Sequence, residues 1–278
     1  MPHPLIVSAA VRILLLGGTA FVGRAIAEAA LRSGAEITLF GRGRTGTELF
    51  PGVPRLTGDR DTGDYAALRG GEWDVVIDVS GYVPRHVAQA MAAIGDNAGR
   101  YVFISSQAVY RHEGLKAGAA EDAPRQAPLR GTEEMAGGNY GRLKVACEDD
   151  VLARYGDRAT IVRPGKVAGP HDWQDGLTYW VRYGAHGGLI AMCADVAGTQ
   201  IELVRVPENT APPYFPLIRP VWATQQRSAA KARAAGMPAT PLPVTIADVL
   251  SWDRERGEPP LDRGFTPQQQ ARVLARFG

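Results

Sequence analysis

Through the first 165 residues, apolar positions come in short blocks, each closed by glycine or a small polar residue, and helical periodicity fills the gaps between them. Residues 13–17, 36–40, 53–57, 73–79, 101–105 and 159–163 are runs of this kind, rich in Ile, Val, Leu and aromatic side chains. Continuous apolar runs of this length predict strands covered on both faces. After the first run, Val22, Ile26, Ala29 and Ala30 share one helical face, and Ser33-Gly34 is a stop signal. A short helix is expected around 64–69, one with proline in its first turn at 84–94, and a long one at 139–155. Strand and helix alternating in this way predict an α/β fold, a doubly wound parallel sheet with ligands at the carboxyl ends of its strands.

The pattern changes further on. A helix is expected at 177–184, a strand at 200–206, a proline-rich stretch at 207–220 and helices at 223–235, 246–256 and 267–277. Residues 1–175 are thus expected to form a nucleotide-binding domain, and 176–278 a smaller, mostly helical substrate region.

Bulk composition narrows the function classes. Of 278 residues, 31 are basic and 29 acidic, a net charge of +2, which gives no global drive towards nucleic acid or membrane. Two cysteines, Cys147 and Cys193, make neither a disulfide framework nor, by themselves, a metal site, and they fit a reducing compartment. The N-terminus M-P-H-P-L-I-V-S-A-A lacks the basic start of a signal peptide, and no window is apolar enough to span a bilayer. A cytoplasmic location is expected.

Residues 12–24 read R-I-L-L-L-G-G-T-A-F-V-G-R, a strand, a tight turn and a helix. The unpaired N–H groups and dipole of a helix start suit a phosphate, and glycine lets the backbone approach it. Gly17, Ala20 and Gly23 take the dinucleotide-turn spacing with the middle glycine replaced, so Gly17, Thr19, Ala20, Phe21, Val22 and Gly23 are candidate cofactor contacts. At the end of the second run stand Arg42 and Arg44 with no carboxylate. Their guanidinium groups favour NADP over NAD, while solvated loop charges, or an Arg42 stacked on adenine with NAD, remain open. Asp59 is either an adenine contact or a turn aspartate, and Ser80-Gly81 is a small pair past which a cofactor could run.

Tyr140 and Lys144 are four apart on the long helix and share a face, and Ser105-Ser106 closes the fifth run. A phenol with a pKa of about 10 is a poor base at neutrality, and bringing it there takes roughly 4 kcal/mol of differential stabilisation. Lys144 and a nicotinamide ring's positive charge could share that, with Ser106 hydrogen-bonding the substrate oxygen.

The order of these parts resembles the short-chain dehydrogenase/reductase superfamily, and within it the extended and atypical NAD-dependent epimerase/dehydratase proteins. The matching stretches are G-G-T-A-F-V-G at 17–23, F-I-S-S-Q-A-V-Y at 103–110, Y-G-R-L-K at 140–144 and R-P-G-K-V-A-G-P at 163–170. The resemblance implies a Rossmann domain that binds NAD(P), a catalytic triad of Ser106, Tyr140 and Lys144, and nicotinamide contacts from Pro164, Gly165 and Val167. A homodimer through the long helix is implied by analogy with relatives. Sugar-nucleotide dehydratases of the family place Asp and Glu after the serine or threonine. This chain has Gln107 and Ala108, so simple redox or epimerisation is favoured over elimination.

After 184 the resemblance thins, and a strand–helix unit is expected to be missing near Gly187. His171 and Asp172 could reach a substrate, with His171 read as loop support ahead of catalysis; Tyr179, Trp180 and Arg182 could line its pocket, the aromatic pair being equally readable as core. The expected activity is an oxidoreductase or epimerase acting on a small hydroxyl or carbonyl substrate, sugar-derived or a secondary metabolite, with no nucleic-acid partner. The alternative is a cofactor-sensing or nucleic-acid-binding protein on the same scaffold.

Overall fold

The six apolar runs of the first half pair into one sheet. In a computed structural model that describes residues 9–183, 187–198 and 226–277, they form β1 (Arg12–Leu16), β2 (Glu36–Gly41), β3 (Arg55–Thr57), β4 (Trp73–Asp78), β5 (Ala98–Ile104) and β6 (Ala159–Val162). The sheet order is β3-β2-β1-β4-β5-β6, and every pairing is parallel.

The apolar runs are continuous because helices cover both faces. Leu14 and Leu16 of β1 point into one core with Val76, Tyr101 and Phe103, covered by α2 (Pro84–Ile94) and α3 (Asn139–Tyr155). Leu15 points the other way, to Ile37, Leu39 and Ala27 of α1 (Phe21–Arg32). All three leucines are fully buried, each worth about 2 kcal/mol of apolar burial. Cys147 and Val151 place α3 against the same core as Phe103.

Chain order reverses beside β1, whose carboxyl end sends its loop to one face while that of β4 goes to the other, so a crevice opens between them. Residues 64–69 make a single 3-10 turn, Ala66–Leu68, rather than a longer helix. Val53 packs against the core beside Leu39 and precedes β3 instead of belonging to it.

Contacts divide the chain into two compact units. The first takes residues up to Leu115 together with Glu121–Gly165, and the second takes Lys116–Ala120 and the chain from Lys166 onward. The short excursion joins the second unit by backbone bonds: Gly118 N donates to Gln226 O and Ser228 N to Ala119 O.

In the second unit, α4 (Thr178–Tyr183), α5 (Gly187–Ala197), α6 (Ala230–Ala234), α7 (Leu242–Glu255) and α8 (Pro267–Phe277) are helical. Leu177, Trp180, Cys193, Ile246 and Val249 form its core. Of the helix expected at 223–235, the described part is confined to α6. The strand expected at 200–206, the stretch at 207–220 and the Arg182 side chain lie outside the described residues.

Candidate active site

β1 ends at Leu16 because Gly17 turns into the left-handed region, at φ +94°. A side chain there is strained, and it would also crowd Ser80. Gly23 is needed for a different reason: a Cβ at that position would overlap the Gly17 carbonyl oxygen. The turn and α1 are in backbone contact. Ala20, where a third glycine was expected, has extended backbone at φ −134° and caps α1 with no side-chain hydrogen bond, so alanine costs nothing there. Phe21 enters α1 at φ +34°, an unfavourable angle worth about 1 kcal/mol of strain. Val22 follows it within α1, half-buried, and Thr19 Oγ1 stands 3.3 Å from Thr45 Oγ1.

The second group lies at the carboxyl ends of β4 and β5. Lys144 on α3 is 1% exposed and donates from Nζ to the carbonyl oxygens of Gly81 and Ile104, both at 2.7 Å. The ammonium also sits 4.0 Å from the centroid of the Phe103 ring. Burial pulls its pKa down from the ordinary 10.5 to about 8, and Cys147, Asp78 and Glu148 oppose that fall. Tyr140, one turn earlier, is half-buried. Burial raises its pKa, while a hydrogen bond from Ser106 favours the phenolate. Ser106 itself starts a 3-10 turn, Gln107–Val109, and its Oγ accepts from Ala108 N at 3.1 Å. Ser106, Tyr140 and Lys144 are thus brought together.

Ser80 and Gly81 link this group to the glycine turn. Ser80 Oγ donates to Leu16 O at 3.2 Å, and Gly81 O accepts from Lys144. The absence of a side chain on Gly81 is used inward, because a Cβ would crowd Val87, Phe103 and Asp78. Ser105 N donates to Val162 O at 2.7 Å, and its buried hydroxyl has no partner among the described residues.

Beneath the site is a polar cluster that sequence reading did not single out. Asp78, fully buried at the end of β4, accepts from Arg60 Nη2 and from the Tyr101 hydroxyl, each at 2.8 Å, and from Ser80 N at 3.1 Å. Burial, then the Asp78 charge, push the Tyr101 hydroxyl well above its ordinary pKa. For Arg60, burial is outweighed by Asp78, Tyr101 and Tyr65, and the guanidinium stays firmly charged. The available sequence signal was a carboxylate closing the apolar run 75–77 at the end of β4.

Arg42 and Arg44 stand on the exposed loop after β2. Arg42 lies 3.7 Å from Asp61, and Arg44 lies 4.0 Å from Asp59. The carboxylates missing from the β2 end are therefore supplied by the loop after β3. Asp59 Oδ1 also accepts from Asp61 N at 3.0 Å, a turn-stabilising bond. Pro164 O accepts from Gln107 N at 2.9 Å, and Gly165 lies near Gln107. Val167 belongs to the second unit.

There, His171 packs edge-on to Trp252 at 5.4 Å, and the buried Asp172 accepts from Gln174 N and Gly176 N. Both support the loop. Tyr179 and Trp180, each 2% exposed, are core residues.

A dinucleotide fits this arrangement on one direct count. The Gly17–Gly23 turn is a cradle that a Cβ would fill, at a helix start without a side-chain cap. Gly17, Thr19 and Gly23 would hold its phosphates, and Lys144 would face its nicotinamide end.

No protein-family model matches the chain. Over 174 residues, 57% of this chain, it is 26% identical to the chloroplast stem-loop binding protein of 41 kDa b of Arabidopsis thaliana, and the match covers 43% of that relative's length. The chain therefore spans less than half of that protein. Among solved structures, the Bordetella bronchiseptica enzyme WbmH in complex with NAD+ superposes with a TM-score of 0.64 at 17% identity, covering 90% of this chain and 100% of that one. The dTDP-glucose 4,6-dehydratase of Bacillus anthracis in complex with NAD gives 0.63 at 13% identity, with 90% and 98% covered. A UDP-galactose 4-epimerase gives 0.60 at 15%, with 88% and 99% covered. At these identities the likeness is one of fold. No helix among the described residues is long and apolar enough to cross a membrane. The chain therefore shares with these solved structures a Rossmann-type fold, a six-stranded parallel sheet covered by helices.

Proposed function

We propose that this protein is a nicotinamide-dinucleotide-dependent oxidoreductase or epimerase acting on a small hydroxyl or carbonyl substrate. The observation that carries the reading is the joining of Tyr140, Ser106 and a buried Lys144 at the carboxyl ends of β4 and β5, linked through Ser80 to the glycine turn. Gly17, Thr19 and Gly23 would hold the dinucleotide, whose nicotinamide would supply or accept a hydride when bound. Tyr140 moves the proton at the substrate oxygen, and Ser106 hydrogen-bonds that oxygen. Lys144, charged at neutral pH and fixed by two carbonyls, stabilises the phenolate when it forms. Unaided burial raises the Tyr140 pKa, so the phenol needs this cation and the positive nicotinamide to act as a base.

Gln107 and Ala108 bring no carboxylate next to Ser106, which supports redox or epimerisation over elimination. Arg42 and Arg44, exposed and only loosely paired, support NADP as the preferred cofactor over NAD.

The test is titration with NADPH and NADH, followed by a panel of carbonyl and hydroxyl substrates read at the reduced-nicotinamide absorbance. Tyr140→Phe is expected to lower kcat about 1,000-fold with cofactor Kd nearly unchanged. Unchanged turnover in that variant overturns the assignment. Tight cofactor binding without turnover on the whole panel points to a sensor instead.

A further inference from the structure

An ion pair behind the triad is not used by any step above. Glu148 follows Lys144 by four residues and Tyr140 by eight, so the three lie along one side of α3. Its carboxylate is fully buried. Arg163, at the end of β6, binds it with a two-pronged fork, Nε to Oε1 at 2.9 Å and Nη2 to Oε2 at 2.8 Å. Arg125 adds a third bond, Nη1 to Oε2 at 2.9 Å.

The same guanidinium holds two more elements. Arg163 Nη1 donates to the Tyr110 hydroxyl at 3.1 Å and to Glu121 O at 2.9 Å, and Tyr110 closes the turn that Ser106 opens. Arg163 is followed directly by Pro164, whose carbonyl accepts from Gln107 N at 2.9 Å. One side chain thus joins the helix of Tyr140 and Lys144, the turn of Ser106 and the Pro164–Gly165 segment.

A buried ion pair is weak support for stability, since its desolvation cost offsets most of its attraction. Its geometric effect is clearer, because a planar fork fixes the distance and angle between two backbones in a way an ammonium does not. We propose that Glu148 and Arg163 are positioning residues, whose buried fork sets the Pro164–Gly165 segment against α3 and so fixes where the nicotinamide end of the dinucleotide stands relative to Tyr140 and Lys144. This rests on the cofactor reading given above.

The experiment compares two probes that differ only in the ring concerned, NADPH and 2′-phospho-ADP-ribose, which lacks nicotinamide. Affinities are measured on the full chain, its Arg163→Lys variant and its Glu148→Gln variant, with circular dichroism and melting to check the fold. Arg163→Lys keeps a cation beside Glu148 and leaves no buried charge unpaired. It is expected to raise the NADPH Kd about tenfold and that of 2′-phospho-ADP-ribose less than twofold. Glu148→Gln, if folded, is expected to give the same pattern.

Equal weakening of both probes makes the pair a general scaffold and overturns the proposal, as does no change in either. Failure of Arg163→Lys to fold has the same meaning. If the parent protein binds neither these probes nor their counterparts without the 2′-phosphate, NADH and ADP-ribose, the cofactor reading falls and this inference falls with it. A Tyr140→Phe variant that keeps full turnover while Arg163→Lys discriminates the probes removes the catalytic assignment alone.

Discussion

Lys144 and Arg42 are both cations at the carboxyl end of one sheet, and their surroundings are opposite. Lys144 is enclosed, bonded to two backbone carbonyls, and its pKa falls to about 8. Arg42 has a side chain 52% exposed and an aspartate at 3.7 Å. In the interior a charge is held in one place and its protonation is set by the protein. On the loop it is screened and its ion pair is worth little, which leaves it available for the ligand charge that the proposed function assigns to it. The difference predicts that changes to the buried charges disturb the fold or its pH dependence, and that changes to the loop charges disturb ligand choice alone.

The largest effect is expected beneath Lys144. Asp78→Asn removes the carboxylate that accepts from Arg60, Tyr101 and Ser80. The amide offers one acceptor where two were used, and Arg60 is left buried without its countercharge. The loss is expected to be about 3–5 kcal/mol in denaturant unfolding. A loss below about 1 kcal/mol, the range of an exposed pair, breaks the distinction between interior and loop.

Lys144→Met comes next, and its signature is a slope. The folded pKa of about 8 lies below the ordinary 10.5, so between those values the unfolded chain binds more protons. Stability of the parent therefore rises with pH across that window, and below it the full cost of the buried charge is present. Relative to Lys144→Met, the parent is expected to gain up to about 3 kcal/mol from pH 7 to 10.5. Urea unfolding of both proteins at several pH values measures this. A constant difference between them contradicts the burial of the charge. In the same variant, turnover is expected to fall at least about 100-fold.

The contrast also explains what could be read from the chain. Strands such as 101–105 were legible because runs buried on both faces leave an unbroken apolar signature, and Pro84 marked the start of α2 as its chemistry requires. Tyr140 and Lys144 were legible because both lie on one helix, where spacing alone fixes their relation. Arg60 and Asp78 were not, since they are eighteen residues apart and meet only once the loop after β3 folds over the end of β4. Glu148 and Arg163 were hidden in the same way: they sit on different elements, and nothing along the chain separates Glu148 from Asp149 and Asp150 beside it. Gly81 was singled out for its small size alone, as a place where a cofactor could run past the backbone. Its small size fits it against Val87 and Phe103, which only the packed core reveals. Tyr179 and Trp180 were left undecided because an aromatic pair on a short helix has no pattern that separates core from pocket.

The smallest effect in energy is expected on the loop, and it bears most directly on the cofactor. Arg42 and Arg44 meet Asp61 and Asp59 at 3.7 and 4.0 Å, with both guanidinium groups more than half exposed. Pairs of this kind are worth at most a few tenths of a kcal/mol, so the Arg42→Ala/Arg44→Ala double variant should unfold within about 0.5 kcal/mol of the parent. Discrimination is another matter. A 2′-phosphate carries charge that a guanidinium can pair with two hydrogen bonds, and removing both arginines also leaves Asp59 and Asp61 facing that phosphate unopposed. The Kd for NADPH is expected to rise about tenfold while that for NADH changes less than twofold, and the gap between them should narrow as salt is added to the parent. Equal changes for the two cofactors would mean that the arginines serve adenine or the loop, and the preference for NADP would have no residue to rest on.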